Sequence, residues 1–134
     1  MAFGSNLGNK KENIEKAYNE LLKQGIILTK KSNFYRNPAY GIENQPHFIN
    51  TVAIGETFFT PMDLLNKIKN IEKKIGRNET FRWGPRVIDI DIIFYDNIIY
   101  KSDNLEIPHK DYKNRNFVIT PAKHILNNEW NIEN

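Results

Sequence analysis

Between Lys10 and Gln24 the apolar residues Ile14, Ala17, Tyr18, Leu21 and Leu22 recur at the spacing of one helical face, and Gly25 stands where such a helix would stop. Residues 26–35 are rich in β-branched and aromatic side chains and predict a strand, closed by Asn37-Pro38. Residues 47–57 alternate and predict another. Thr60-Pro61-Met62-Asp63 opens a second helix, with Thr as cap and Pro at the first position; Leu64, Leu65, Ile68, Ile71 and Ile75 form its buried face and Gly76 ends it. Residues 87–95 predict a strand, with Asp96-Asn97 as a turn and residues 98–100 pairing back as a hairpin. The stretch up to Asn116 is irregular, followed by a short apolar run, 117–119, and a helix from Pro121. Met1 to Asn6 is too short for a full strand, and residues 6–9 have the Gly and Asn content of a helix-capping turn. Hairpin-linked strands with two helices on one side predict an α+β, ferredoxin-like antiparallel sheet flanked by helices.

At 134 residues, 40% of them hydrophobic and 26% charged, the chain has the size of a single domain over 1–134. It has no cysteine, which excludes disulfides and Cys-based metal sites and favours a reducing, cytoplasmic location. The longest apolar run, Ile92-Ile93-Phe94-Tyr95, is far short of the ~20 residues of a membrane span, and no signal-peptide pattern opens the chain. The net charge is +3, yet of 19 basic residues only Arg36, Arg77, Arg82, Arg86 and Arg115 are arginines. Arg offers carboxylate and phosphate a planar fork that Lys cannot imitate, and three of the five fall between 77 and 86.

Strand alternation puts Ile88, Ile90, Ile92 and Phe94 on one face and Val87, Asp89, Asp91, Ile93 and Tyr95 on the other. The two carboxylates are then neighbours, with Cα atoms roughly 6.6 Å apart. On an apolar strand such a pair needs arginine or a hard divalent cation to neutralise it. Oxygen ligands without nitrogen or sulfur suit Mg²⁺, and Mg²⁺ flanked by arginine forks describes a phosphoryl-transfer site. Phe48 and Asn50 share a face of their strand, and Phe117 follows Asn114-Arg115; two rings with an amide between them can sandwich a planar heterocycle. A basic, aromatic-containing α+β domain could instead bind nucleic acid, but Asp89 and Asp91 would repel phosphate unless metal intervened.

Arg82-Trp83-Gly84-Pro85-Arg86-Val87-Ile88-Asp89-Ile90-Asp91-Ile92 resembles the signature of the 6-hydroxymethyl-7,8-dihydropterin pyrophosphokinases of folate synthesis. Gly4-Ser5-Asn6-Leu7-Gly8, Ser32-Asn33-Phe34-Tyr35-Arg36, Gln45-Pro46 with Phe48 and Asn50, Glu72 with Gly76-Arg77, Pro108-His109 and Asn114-Arg115 follow in family order, so the resemblance spans nearly the whole chain. It implies transfer of diphosphate from ATP to the pterin hydroxymethyl group, with AMP as the other product. It further implies two Mg²⁺ on Asp89 and Asp91, and Arg82, Arg86, His109 and Arg115 on the phosphates. Glu72, Arg77, Trp83, Ile92 and Lys110 would hold the nucleotide, and Phe48, Asn50, Phe117, Tyr40 and Gly41 the pterin. Glu79 stands where members often carry a further arginine. The same resemblance implies no nucleic-acid or membrane partner. It points to a domain that acts as a monomer unless fused to another folate-pathway domain, and the short first strand leaves trimming at the N- and C-termini open.

Overall fold

The computed structural model describes residues 1–37, 47–77 and 85–126. Along the chain run β1 (Ala2–Ser5), α1 (Lys10–Lys23), β2 (Ile27–Lys31), β3 (Tyr35–Asn37), β4 (Phe48–Glu56), α2 (Pro61–Ile75), β5 (Asp89–Asp91), β6 (Tyr100–Lys101), β7 (Glu106–Ile107) and α3 (Asn116–Leu126). The main sheet is antiparallel in the order β2-β4-β1-β5, with β3 also paired to β4. Because β2 and β3 lie along the same edge of β4, they act as one broken strand, and the arrangement is the expected α+β, ferredoxin-like one.

Both long helices form where their caps specify. Asn9 accepts the Glu12 N–H through its side chain, and Gly25 follows α1 with φ +80°. Thr60 accepts the Asp63 N–H, Pro61 opens α2, and Gly76 at φ +121° closes it. The two helices cover one face of the sheet, burying Ile14, Ala17, Leu21, Leu64, Ile68 and Ile71 against Phe3, Ala53, Ile88, Ile90 and Ile92. On the opposite face α3 covers only part of the sheet, where Val118, Ala122 and Leu126 meet Ala2, Val52 and Ile93. No helix of the described residues is long and apolar enough to cross a membrane.

Six expectations change. The opening residues, too short for a strand by pattern, form β1, whose four residues are all buried between β4 and β5; pairing on both edges supplies what length and alternation do not. The strand expected over 26–35 breaks between β2 and β3, where the Ser32 hydroxyl takes the Val52 N–H. The strand expected over 87–95 is confined to β5, the three residues that β1 reaches. Alternation holds from Ile88 to Ile93 and then shifts, so that Phe94 packs on Tyr112 and Tyr95 crosses to the Phe59 carbonyl, the reverse of the predicted faces. Tyr100–Lys101 pairs with Glu106–Ile107 and not back on residues 87–95. Finally α3 starts at Asn116, so Pro121 is inside it; the N–H that proline lacks is the one that would donate to the Phe117 carbonyl in a regular helix.

Candidate active site

The half of the sheet face that α3 leaves uncovered is built on β1. Register places Gly4 between Asn50 and Asp89, and Ala2 between Val52 and Asp91. Two of the smallest residues thus occupy the central strand beside two carboxylates and an amide, and a hollow opens above them. At Gly4 this is a steric requirement: a Cβ there would lie 2.9 Å from the Asn50 Oδ1 and 3.4 Å from the Phe48 ring. The result is a cavity of about 650 Å³, walled by Phe48 and Asn50 of β4, Asp89 and Asp91 of β5, Arg77 at the end of α2, Arg86 ahead of β5, and Asp111, Asn114, Arg115 and Phe117 around the start of α3. That volume lies within the range of small-molecule sites.

Each carboxylate has an arginine. Arg77 Nη1 is 3.5 Å from Asp89 Oδ1 and 3.0 Å from Glu72 Oε2. Glu72, only 2% exposed, also accepts the Ile90 N–H at 2.9 Å, so it joins the end of α2 to β5 and holds Arg77 beside Asp89. Burial raises the Glu72 carboxyl above its ordinary pKa, opposed by the Ile90 N–H and the Arg77 charge. Arg115 Nη1 lies 3.5 Å from Asp91 Oδ2 and its Nη2 3.8 Å from Asp111 Oδ2, with the guanidinium 5.7 Å from the centre of the Phe117 ring. Asp91 is pushed up to about 7, first by burial and then by the charge of Asp89, against the pull of Arg115.

Arg86 is fixed through its backbone. Its N–H donates to Asn6 Oδ1 at 2.7 Å, and its carbonyl accepts the Asn6 N–H at 3.0 Å. Asn6 is 1% exposed, and the turn after it is braced by Asn13, whose amide donates to the Leu7 carbonyl and the Ser5 hydroxyl. His109 donates its backbone N–H to the Ile93 carbonyl, and its Nδ1 accepts the Asp111 N–H at 3.1 Å, which leaves the proton of a neutral ring on Nε2. Burial, then the charge of Arg115, pulls its pKa below the ordinary imidazole value.

Of the residues singled out from sequence, the cavity brings together Arg77, Arg86, Asp89, Asp91, Arg115, Phe48, Asn50 and Phe117. Glu72 and His109 stand behind this wall and act on it through Arg77 and Asp111. Ile92 is buried in the core on the other face, so its side chain does not meet the cavity, and Lys110 is exposed outside it. Tyr40, Gly41, Glu79, Arg82 and Trp83 lie outside the described residues. Sequence reading gave no individual role to Gly4, Asn6, Asp111 or Asn114. Only Asp111 carried a local signal, four positions before Arg115.

The oxygen-only donor set fits a hard cation. Asp89 and Asp91 line the cavity half-exposed, while among the described residues no group of three His, Cys, Asp or Glu side chains is poised to enclose a metal. Two carboxylates leave most of the coordination sphere to water and ligand oxygens, as Mg²⁺ prefers. On the opposite wall, the buried Asn50 Nδ2 has no hydrogen-bond partner among the described residues, a donor that a ligand acceptor would satisfy.

The chain matches the family model for 7,8-dihydro-6-hydroxymethylpterin-pyrophosphokinase over residues 1–127. It is 47% identical over 128 residues to the folic acid synthesis protein FOL1 of Dictyostelium discoideum, covering 96% of this chain and 19% of that protein. It is 40% identical over 125 residues to the 2-amino-4-hydroxy-6-hydroxymethyldihydropteridine pyrophosphokinase of Aquifex aeolicus, covering 93% of this chain and 78% of that one. The Haemophilus influenzae protein of the same name is 40% identical over 124 residues, with 90% and 76% covered. The chain therefore spans about a fifth of the first relative and about three quarters of the other two.

The elevated Asp91 pKa has a consequence for stability. Between its ordinary value of 3.8 and about 7, the folded chain holds a proton that the unfolded chain has released, so stability falls as pH rises through this window. In chelator, the unfolding temperature of the unmodified protein is expected to fall relative to that of Asp91→Asn as pH is raised from 4 to 8, in thermal melts of both. Parallel curves would contradict the assignment.

Proposed function

Because the chain belongs to the 7,8-dihydro-6-hydroxymethylpterin-pyrophosphokinase family, we propose that it transfers diphosphate from ATP to 6-hydroxymethyl-7,8-dihydropterin, giving the pterin diphosphate and AMP, in folate biosynthesis. The observation that carries this reading is the meeting, in one cavity, of a carboxylate pair flanked by three arginines with two aromatic rings and an unpartnered amide donor.

In this reading the pterin stacks between Phe48 and Phe117, and the Asn50 amide donates to an acceptor on its edge. Gly4 gives that amide its place. The triphosphate lies toward Arg86 and Arg115, with the Nε2 proton of His109 and the side chain of Arg82 as further donors. Arg77, oriented by Glu72, holds the nucleotide side of the site beside Asp89, together with Trp83, Lys110 and the main chain at Ile92. Tyr40 and Gly41 complete the pterin side. Asp89 and Asp91 are the residues that would hold Mg²⁺, two ions in all, which when bound neutralises phosphate charge and leaves the β-phosphorus more open to attack. In the transfer, the pterin hydroxyl oxygen bonds to the β-phosphorus as the bond from that phosphorus to the α,β-bridging oxygen breaks. AMP leaves with that oxygen and the hydroxyl proton passes to solvent. The protein's share is positioning and charge compensation, which dominate phosphoryl-type transfers.

The domain acts in this reading as a cytoplasmic monomer or as one part of a longer folate-pathway polypeptide, the latter in keeping with the small share of the Dictyostelium protein that it spans. Nucleic-acid binding has no comparable support, since the open sheet face carries Asp89 and Asp91.

Incubation with ATP, Mg²⁺ and 6-hydroxymethyl-7,8-dihydropterin is expected to yield AMP and the pterin diphosphate in equal amounts, read by nucleotide chromatography. ADP in place of AMP would contradict diphosphate transfer. Phe117→Ala is expected to weaken pterin binding about 10-fold or more, from the ~1–3 kcal/mol of one ring–base stack, with ATP binding changed far less. Equal losses for both ligands, measured by calorimetry, would contradict the stacking role.

A further inference from the structure

Each arginine that faces the aspartate pair is also held by a second carboxylate. Arg77 Nη1 is 3.0 Å from Glu72 Oε2 and 3.5 Å from Asp89 Oδ1. Arg115 is divided in the same way, with its two arms nearest to different acids: Nη1 is 3.5 Å from Asp91 Oδ2, and Nη2 is 3.8 Å from Asp111 Oδ2. Left to one partner, a guanidinium closes on a carboxylate to about 2.7–2.9 Å and places both arms of its fork on the two oxygens. Arg115 has done neither with Asp91. Glu72 orients Arg77, and Asp111 is the corresponding acid at Arg115.

The backbone fixes Asp111 in that place. Its N–H donates to His109 Nδ1 at 3.1 Å and its carbonyl accepts the Asn114 N–H at 3.0 Å, across the single 3-10 turn Tyr112–Asn114. Arg115 leaves the same turn, its N–H on the Tyr112 carbonyl at 3.2 Å and its carbonyl on the first amides of α3. One short segment therefore sets both the acid and the arginine, four positions apart, while the Asp111 carboxylate stays half-exposed and lines the cavity with Asp91. The consequence falls on Asp91. A two-armed pair with Arg115 would occupy both Asp91 oxygens, the lone pairs that a hard cation needs. It would also take out of the cavity the fork that suits a phosphate.

We propose that Asp111 is a positioning residue of the nucleotide site: its carboxylate retains the second arm of Arg115 and so keeps Arg115 from closing on Asp91. This role rests on the function proposed above, in which Asp91 takes Mg²⁺ and Arg115 takes phosphate. Arg115 already has Asp91 for charge balance, so a second acid on its other arm adds direction more than neutralisation. An entering phosphate displaces a half-exposed acid at 3.8 Å more readily than it would break the two-armed pair that Asp111 prevents. A place for Asp111 in the coordination shell of the cation is a different role, and the two are separable because only the first passes through Arg115.

The test is the factor by which Mg²⁺ tightens binding of a non-hydrolysable ATP analogue, measured by calorimetry on the unmodified protein, Asp111→Asn, Asp111→Glu, Arg115→Met and the double variant Asp111→Asn, Arg115→Met. Asparagine keeps the backbone N–H and the shape of the residue, so the turn is retained. Asp111→Asn is expected to reduce the Mg²⁺ factor about 5-fold, the upper end for a partly exposed ion pair, and Asp111→Glu to restore it to within about 2-fold. With Arg115 already replaced, Asp111→Asn is expected to change the factor by less than about 2-fold. The same Mg²⁺ factor in Asp111→Asn as in the unmodified protein would overturn the proposal alone. A 5-fold loss that persists in the Arg115→Met background would overturn it too, by making Asp111 a ligand of the cation. No Mg²⁺ effect on the unmodified protein would overturn the reading of the aspartate pair and this proposal together.

Discussion

Two negative charges one strand repeat apart, on a sheet face that is only partly open to water, are the constraint around which this domain is arranged. Carboxylates roughly 6–7 Å apart repel by about 2–3 kcal/mol at an effective dielectric constant near 20. The elevated Asp91 pKa reflects burial first and that repulsion second. The protein answers it with arginines brought from two separate segments: Arg77 from the end of α2 and Arg115 from the start of α3. Neither arginine is bound to its aspartate at ideal hydrogen-bond distance, so the compensation is one that phosphate and a hard cation can share and rearrange.

The strand beneath the pair makes this possible. β1 is central, and its Ala2 and Gly4 leave open volume where larger side chains would close the face. The end of the same strand, through Asn6, holds the backbone of Arg86, and Glu72 ties the end of α2 to the Ile90 amide between the two aspartates. Buried polar groups of this kind hold their geometry because leaving any one unpaired would cost about 1–3 kcal/mol. The Asn50 Nδ2, which has no partner among the described residues, is on the ligand wall.

Much of this is legible in the chain alone, because the relevant signals are local. The two long helices carry their caps and apolar stripes, the alternation of residues 88–91 places both aspartates on one face, and Phe48 and Asn50 share a face by the same rule. What escapes local reading depends on partners distant in sequence. Ala-Phe-Gly-Ser becomes a strand only because β4 and β5 flank it, and Gly4 matters only because Asn50 lies across from it. The break between β2 and β3 follows from a serine bond to Val52, and the shift of phase at Phe94 from packing on Tyr112. Pro121 looked like a helix start and proved to be an interior residue, since the turn before it is already secured by Arg115, whose carbonyl accepts the Val118 and Ile119 amides.

The central claim is that the aspartate pair is completed by a divalent cation shared with the nucleotide phosphates. The most direct measurement is the affinity of a non-hydrolysable ATP analogue, by calorimetry with and without Mg²⁺, for the unmodified protein and for the double variant Asp89→Asn, Asp91→Asn. Mg²⁺ should tighten binding to the unmodified protein ~10-fold or more, a coupling of about 1.4 kcal/mol, and should leave the variant's affinity nearly unchanged. The same Mg²⁺ dependence in both proteins would contradict the account.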